Sequence, residues 1–186
     1  MSSQNMSREF LTFRDQCVWL QTCYNTYRAL YESGADTQGL LTRSASRFFH
    51  DLNTILIEYV LLQISKITDP PESQGRENLT VSNINRHLQA AGLLTQEITD
   101  ASTAIMRYRD LIKESRNRVI SHQDKETILI NLPVGVHSES DVANFFKNLY
   151  AYVDAVGNAV GVGPLDFKTT AGSGDVLDLL RLLRRV

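Results

Sequence analysis

Between residues 7 and 33, Phe10, Phe13, Cys17, Leu20, Tyr24, Tyr27 and Tyr31 follow one another in alternating steps of three and four. A strand would scatter these side chains over two faces, whereas a 3.6-residue turn gathers them into one stripe. A helix carrying such a stripe needs partners of its own kind to cover it. The same period returns over residues 42 to 68, where Phe48, Phe49, Leu52, Ile55, Leu56, Tyr59, Leu62 and Ile67 are expected to face inward, with Arg47, Asp51 and Glu58 elsewhere. The fold class that follows is all-α, an up-down bundle of five to six helices in a single domain spanning residues 1–186.

The stops agree with the stripes. Gly34 ends the first helix, and Asp69-Pro70-Pro71 ends the second, because proline cannot continue a helix and disfavours helical geometry before it. After a polar loop through Ser73 and Gly75, Asn78-Leu79-Thr80 leads into a short helix with Val81, Ile84 and Leu88 that closes at Gly92. A fourth helix begins near Thr95, with Glu97 and Asp100 at the positive end of its dipole. Residues 126–134, with Ile128, Leu129, Ile130 and Leu132 before Pro133, read as a short extended arm. Ser138 with Asp141 forms a capping-box signature for a helix carrying Val142, Phe145, Phe146, Leu149, Tyr152, Val153 and Val156, closed by Gly157 and Gly161. Half of the ten glycines lie between 157 and 174, which reads as a linker to an amphipathic terminal helix with Leu177, Leu180 and Leu183.

Composition narrows the function classes. The apolar run from Ile55 to Leu62 is interrupted by Glu58 and falls short of the roughly 20 residues that span a bilayer, so no membrane partner is expected. The opening ten residues lack a basic segment followed by an apolar one, which leads to the expectation of a cytoplasmic protein. The net charge of -2 confines any RNA contact to a local patch. Cys17 and Cys23 are six apart on a helical segment, whereas facing pairs are three or four apart, so two buried thiols are expected rather than a disulfide. Those cysteines match no zinc pattern, and His87 and His137 have no partner at ligand spacing; neither a metal nor a cofactor is expected.

The fourth helix carries the stretch with chemical content. Ile98, Ala101, Ile105, Tyr108, Ile112, Ser115, Val119 and His122 recur at three and four, so His122 is in phase with an inward seam. Such a histidine is either a satisfied core residue favoured by the helix C-terminus or a group held half-buried to do work. Arg118 stands four residues before it and shares its face, whereas Arg116 is six residues back, about 240 degrees around the helix. Arg107, Arg109, Lys113, Arg116, Arg118 and Lys125 outnumber Asp110, Glu114, Asp124 and Glu126 locally, a modest basic patch.

Arg116-Asn117, four residues and His122, near the end of a helix in an up-down bundle, resemble the Arg-polar-x(3 to 5)-His motif of HEPN domains. The following Gln123-Asp124 resembles the abortive-infection branch. The likeness takes in the helix ending in Asp69-Pro70 and the Asn78-Leu79-Thr80 entry, roughly residues 42 to 125. In that family the motif marks metal-independent endoribonucleases in which the motifs of two subunits face each other. The resemblance therefore implies an RNA substrate, a homodimer, and a toxin or phage-defence setting with an antitoxin protein as partner. His122 would exchange a proton, Arg116 would hold the phosphate, and Asn117 would orient one of them, with each Arg116 able to serve the partner's His122. Arg118, Lys113, Arg47 and His50 are the candidate substrate-binding residues. The acidic net charge and the lack of a nucleotidyltransferase-like partner domain depart from the pattern, and many relatives keep the fold without cleavage. A non-catalytic dimeric binding module is the alternative function.

The remaining features have plainer explanations. Gly157, Gly161 and Gly163 lack the preceding strand and the following Gly-Lys-Ser/Thr of a phosphate loop. Tyr24, Tyr27 and Tyr31 have the surface to stack bases, but their helical spacing makes them core or interface aromatics first. The terminal Leu179 to Arg185 segment suits closure of the bundle or of a dimer.

Overall fold

The computed structural model describes residues 3–116, 138–165 and 172–185. Its order is α1 (Ser3–Tyr31), α2 (Ala35–Thr68), a hairpin of β1 (Glu72–Ser73) and β2 (Arg76–Glu77), α3 (Val81–Ala90), α4 (Gln96–Arg116), α5 (Glu139–Ala159) and α6 (Val176–Leu183). The all-α bundle is therefore as expected, and among the described residues no helix is long and apolar enough to cross a membrane. The most extensive helix contacts are α4 with α5 and α1 with α2. Phe13 meets Tyr152 and Tyr24 meets Phe146, so α1 and α5 run antiparallel; Trp19 bonds Tyr59 and Tyr31 bonds the Phe49 carbonyl, so α1 and α2 do too.

The first stripe is the centre of the main core: Phe10, Phe13, Cys17 and Leu20 are fully buried, against Ile64 and Ile67 of α2, Ile84 and Leu88 of α3, Ile98, Ile105 and Ile112 of α4, and Phe145, Tyr152 and Val156 of α5. Each such side chain contributes about 1.5–3 kcal/mol on leaving water. A second, smaller cluster of Leu30, Leu40, Leu41, Phe49 and Leu180 fastens α6 to the α1–α2 end.

Local signals set the element ends. Thr80 Oγ1 accepts the Asn83 N–H at 3.3 Å to start α3, and Gly92, at φ 72°, turns the chain out of it. Thr95 Oγ1 accepts the Ile98 N–H at 3.3 Å ahead of α4. The capping box at α5 is complete: the Asp141 N–H bonds Ser138 Oγ and the Ser138 N–H bonds Asp141 Oδ2.

Several sequence expectations are corrected. The second helix begins at Ala35 rather than near 42, and it is broken at Ala45 (φ -163°, ψ 71°). Thr42 and Ser44 donate to the carbonyls of Gln38 and Leu40 just before the break, a side-chain competition that bends helices. Phe48 and Ile55, expected inward, are 60% and 59% exposed, while Val60, Leu61 and Ile64 are buried. The helix is apolar on two adjacent faces, and its neighbours cover the one through Phe49, Val60, Ile64 and Ile67. The loop through Ser73 and Gly75 is a hairpin whose central residues, Gln74 (φ 52°) and Gly75 (φ 74°), are both left-handed, the geometry that suits a two-residue connection.

Gly157 does not close α5 but lies inside it, where a Cβ would overlap the Gly163 carbonyl oxygen. The chain doubles back there, and the N–H groups of Val162 and Gly163 both bond the Gly157 carbonyl, at 3.0 and 3.1 Å. Leu177 of the terminal helix is exposed, and Leu180 is its buried anchor. The extended arm at 126–134 and residues 166–171 of the glycine linker lie outside the described residues.

Candidate functional site

The candidate motif begins on α4, at Arg116, so its setting starts with what fixes that helix. Ile98, Ala101, Ile105, Tyr108 and Ile112 are all buried, which bears out the seam over the described residues. Rotation about the axis is locked by a row of rings crossing three helices. Tyr108 lies 4.8 Å from Phe145, Phe145 meets Phe146 edge-on at 5.2 Å, and Phe146 stacks on Tyr24 at 4.2 Å and 9°. Offset and edge contacts of this kind each add about 0.5–1.5 kcal/mol beyond burial. Arg116 is the last described residue of α4, one turn past the buried Ile112. Asn117, Arg118 and His122 lie outside the described residues.

The other candidates are spread along α2 and α4. Lys113 is exposed and shares a small crevice with Ser65, Asp69, Arg109 and Ile112. Arg47 is nearly free in solvent and pairs with Asp51 at 2.9 Å, a hydrogen bond that raises its already high pKa. His50 is exposed one turn further on. Ser65 is eighteen positions after Arg47, about 27 Å along the straight part of α2. A single chain therefore does not bring Arg47 and His50 to Lys113.

Two further groups are accounted for locally. Cys17 and Cys23 are free and buried, and burial pushes both thiols up, so neither is a ready nucleophile. His87 Nδ1 lies 3.1 Å from Glu9 Oε2, a partly buried pair joining α3 to α1. Among the described residues, no three His, Cys, Asp or Glu side chains converge as metal ligands would.

Sequence reasoning missed a cavity. Tyr24 and Tyr27 of α1, Ile57 to Ile64 of α2, Tyr108 of α4, and Glu139 and Val142 of α5 surround about 510 Å³, with Glu32 beside them. The tyrosines were visible only as stripe residues. Glu32 and Glu139 are more than a hundred positions apart, so nothing in local spacing associates them.

The family model HEPN_AbiU2, described as AbiU2, matches residues 3–179. No curated protein and no solved structure matches the chain. The match takes in all of α1 to α5, the motif-bearing segment after Arg116 and the first half of α6, nearly the whole of the 186 residues. The chain belongs to the HEPN family, in its AbiU2 branch.

Proposed function

We propose that this chain is a metal-independent endoribonuclease acting as a homodimer in a toxin or phage-defence setting. The observation that carries the reading is that the HEPN_AbiU2 match spans residues 3–179, a range that takes in Arg116, Asn117 and His122. Support comes from the packing of α4, whose buried seam fixes the helix that carries Arg116.

In this reading the His122 imidazole takes the proton of an RNA 2′-hydroxyl, a task that needs a group titrating near neutral pH. The 2′ oxygen bonds to phosphorus, the bond from phosphorus to the 5′ oxygen breaks, and the departing oxygen is reprotonated through imidazolium or water. Arg116 carries the charge gathering on the phosphorane oxygens, which its forked guanidinium can hold two at a time. Asn117 orients the imidazole or the phosphate. Since a six-residue spacing on an ideal helix sets side chains about 240 degrees apart, the Arg116 of each chain is taken to serve the partner's imidazole.

The test is cleavage of a mixed RNA pool in EDTA by wild type and His122→Ala. A loss of roughly 100-fold or more with unchanged helicity is expected, the lower end of what a general base supplies. Equal activity in the two proteins overturns the reading. The second reading, a non-catalytic binding module, is favoured by the exposed Trp19, Phe48 and Ile55, large apolar side chains of the kind that seat a protein partner. It predicts no cleavage by either protein.

A further inference from the structure

We propose that the cavity between α1, α2, α4 and α5 is a binding site for an organic cation, an alkylammonium or guanidinium head seated among Tyr24, Tyr27 and Tyr108 and facing Glu32 and Glu139. Its volume of about 510 Å³ falls in the range of small-molecule sites, and its walls combine aliphatic residues of α2 with a few polar groups. The aromatic side is preformed: the row Tyr24, Phe146, Phe145, Tyr108 holds two of the three tyrosines in place through ring contacts of 4.2 to 5.2 Å. No ordering of these rings is left for a ligand to impose.

Charge selects the ligand. Glu32 and Glu139 line the cavity, and among the described residues Arg28 is the cation that opposes them, so one negative charge is in excess. Glu32 and Glu139 are near enough to act on the Tyr24 hydroxyl, and Asp141 on that of Tyr108. An anion such as an RNA phosphate is repelled here, which separates this cavity from the proposed cleavage site. Two of the lining residues already hold a cation: Arg28 lies 5.9 Å from the centre of the Tyr24 ring and bonds Glu32 at 3.2 Å. That pair neutralises Glu32 and leaves Glu139, for which no ion pair is formed among the described residues, as the free charge. Tyrosine faces attract cations electrostatically, and more so when water is excluded.

The head group has two sources, a free amine or an arginine side chain of a protein partner. Calorimetric titration of the full chain with choline, with its neutral isostere 3,3-dimethylbutanol and with N-acetylarginine amide distinguishes them. One of the two cations should bind about tenfold or more tighter than the neutral isostere, and which one does identifies the source. Glu139→Gln, at a position that takes no part in the Ser138–Asp141 cap, should lose about that factor with unchanged helicity. Ring-proton shifts of Tyr24 and Tyr27 should report the same site. Equal affinity for choline and the isostere, no binding of either cation, or unaltered binding to Glu139→Gln overturns the proposal.

Discussion

Replacing Gly157 by alanine separates helix propensity from packing, because the two have opposite signs there. In an exposed helix interior the change would stabilise by about 1 kcal/mol. At Gly157 the added methyl group overlaps the Gly163 carbonyl oxygen and stands 3.3 Å from its carbon and 3.5 Å from Phe10 Cε1. The obstacle is backbone, and Gly163 itself sits at φ 73°, so the returning loop has little room to yield. Overpacking of this kind costs about 1–3 kcal/mol, and displacing the loop weakens two bonds to the Gly157 carbonyl at about 0.5–1.5 kcal/mol each. Set against the propensity gain, the net destabilisation is about 3 kcal/mol, a Tm drop of roughly 6–12 °C for a chain of this size. Gly39→Ala is the paired control: its methyl group would meet only the end of the flexible Arg43 side chain, at 3.3 Å, so α2 should gain about 0.5–1 kcal/mol. Thermal and urea unfolding followed by circular dichroism measure both. A Gly157→Ala protein as stable as wild type, or stabilised alongside Gly39→Ala, would refute the reasoning.

Ile105→Ala empties a fully buried position on the α4 seam and should cost about 2–5 kcal/mol in urea unfolding, whereas Leu111→Ala, on the exposed side, should stay within about 0.5 kcal/mol. Tyr152→Phe removes the hydroxyl that donates to Asn85 Oδ1 at 2.9 Å, leaving a partly buried acceptor unsatisfied, and should destabilise by about 1–2 kcal/mol by the same measurement. Burial, then the charge of Glu32, pushes the Tyr24 hydroxyl from an ordinary 10 up to about 12, so the fold favours the protonated ring. The stability this contributes is complete below pH 10 and is lost as pH rises through 10 to 12; Tyr24→Phe should flatten that part of the stability profile.

The helices could be read from the sequence because their signals are local. The stripe from Phe10 to Tyr31, the Asp69-Pro70-Pro71 stop and the Ser138–Asp141 box each act within a few turns of chain, and each is found in the structure. What the sequence could not settle depends on neighbours. The residues of α2 show two apolar faces, and only the positions of α1 and α4 decide that Ile64 is buried and Ile55 is not. Gly157 has the look of a terminator in sequence, but its role is to admit the backbone of a loop that returns onto α5. The candidate site divides in the same way. The spacing of Arg116 and His122 shows that one helix cannot hold both on one face, while the meeting of Glu139 with Tyr24 and Tyr108 arises only from the tertiary packing.

The composite site is tested most directly by mixing two inactive variants, Arg116→Ala and His122→Ala, and following RNA cleavage in EDTA. In a mixed dimer one site regains an intact Arg116 from one chain and an intact His122 from the other. Random exchange then makes half the dimers mixed with one working site in two, so about a quarter of wild-type activity should return. A mixture as inactive as its two components, under conditions where wild type cleaves, would contradict a site shared between chains.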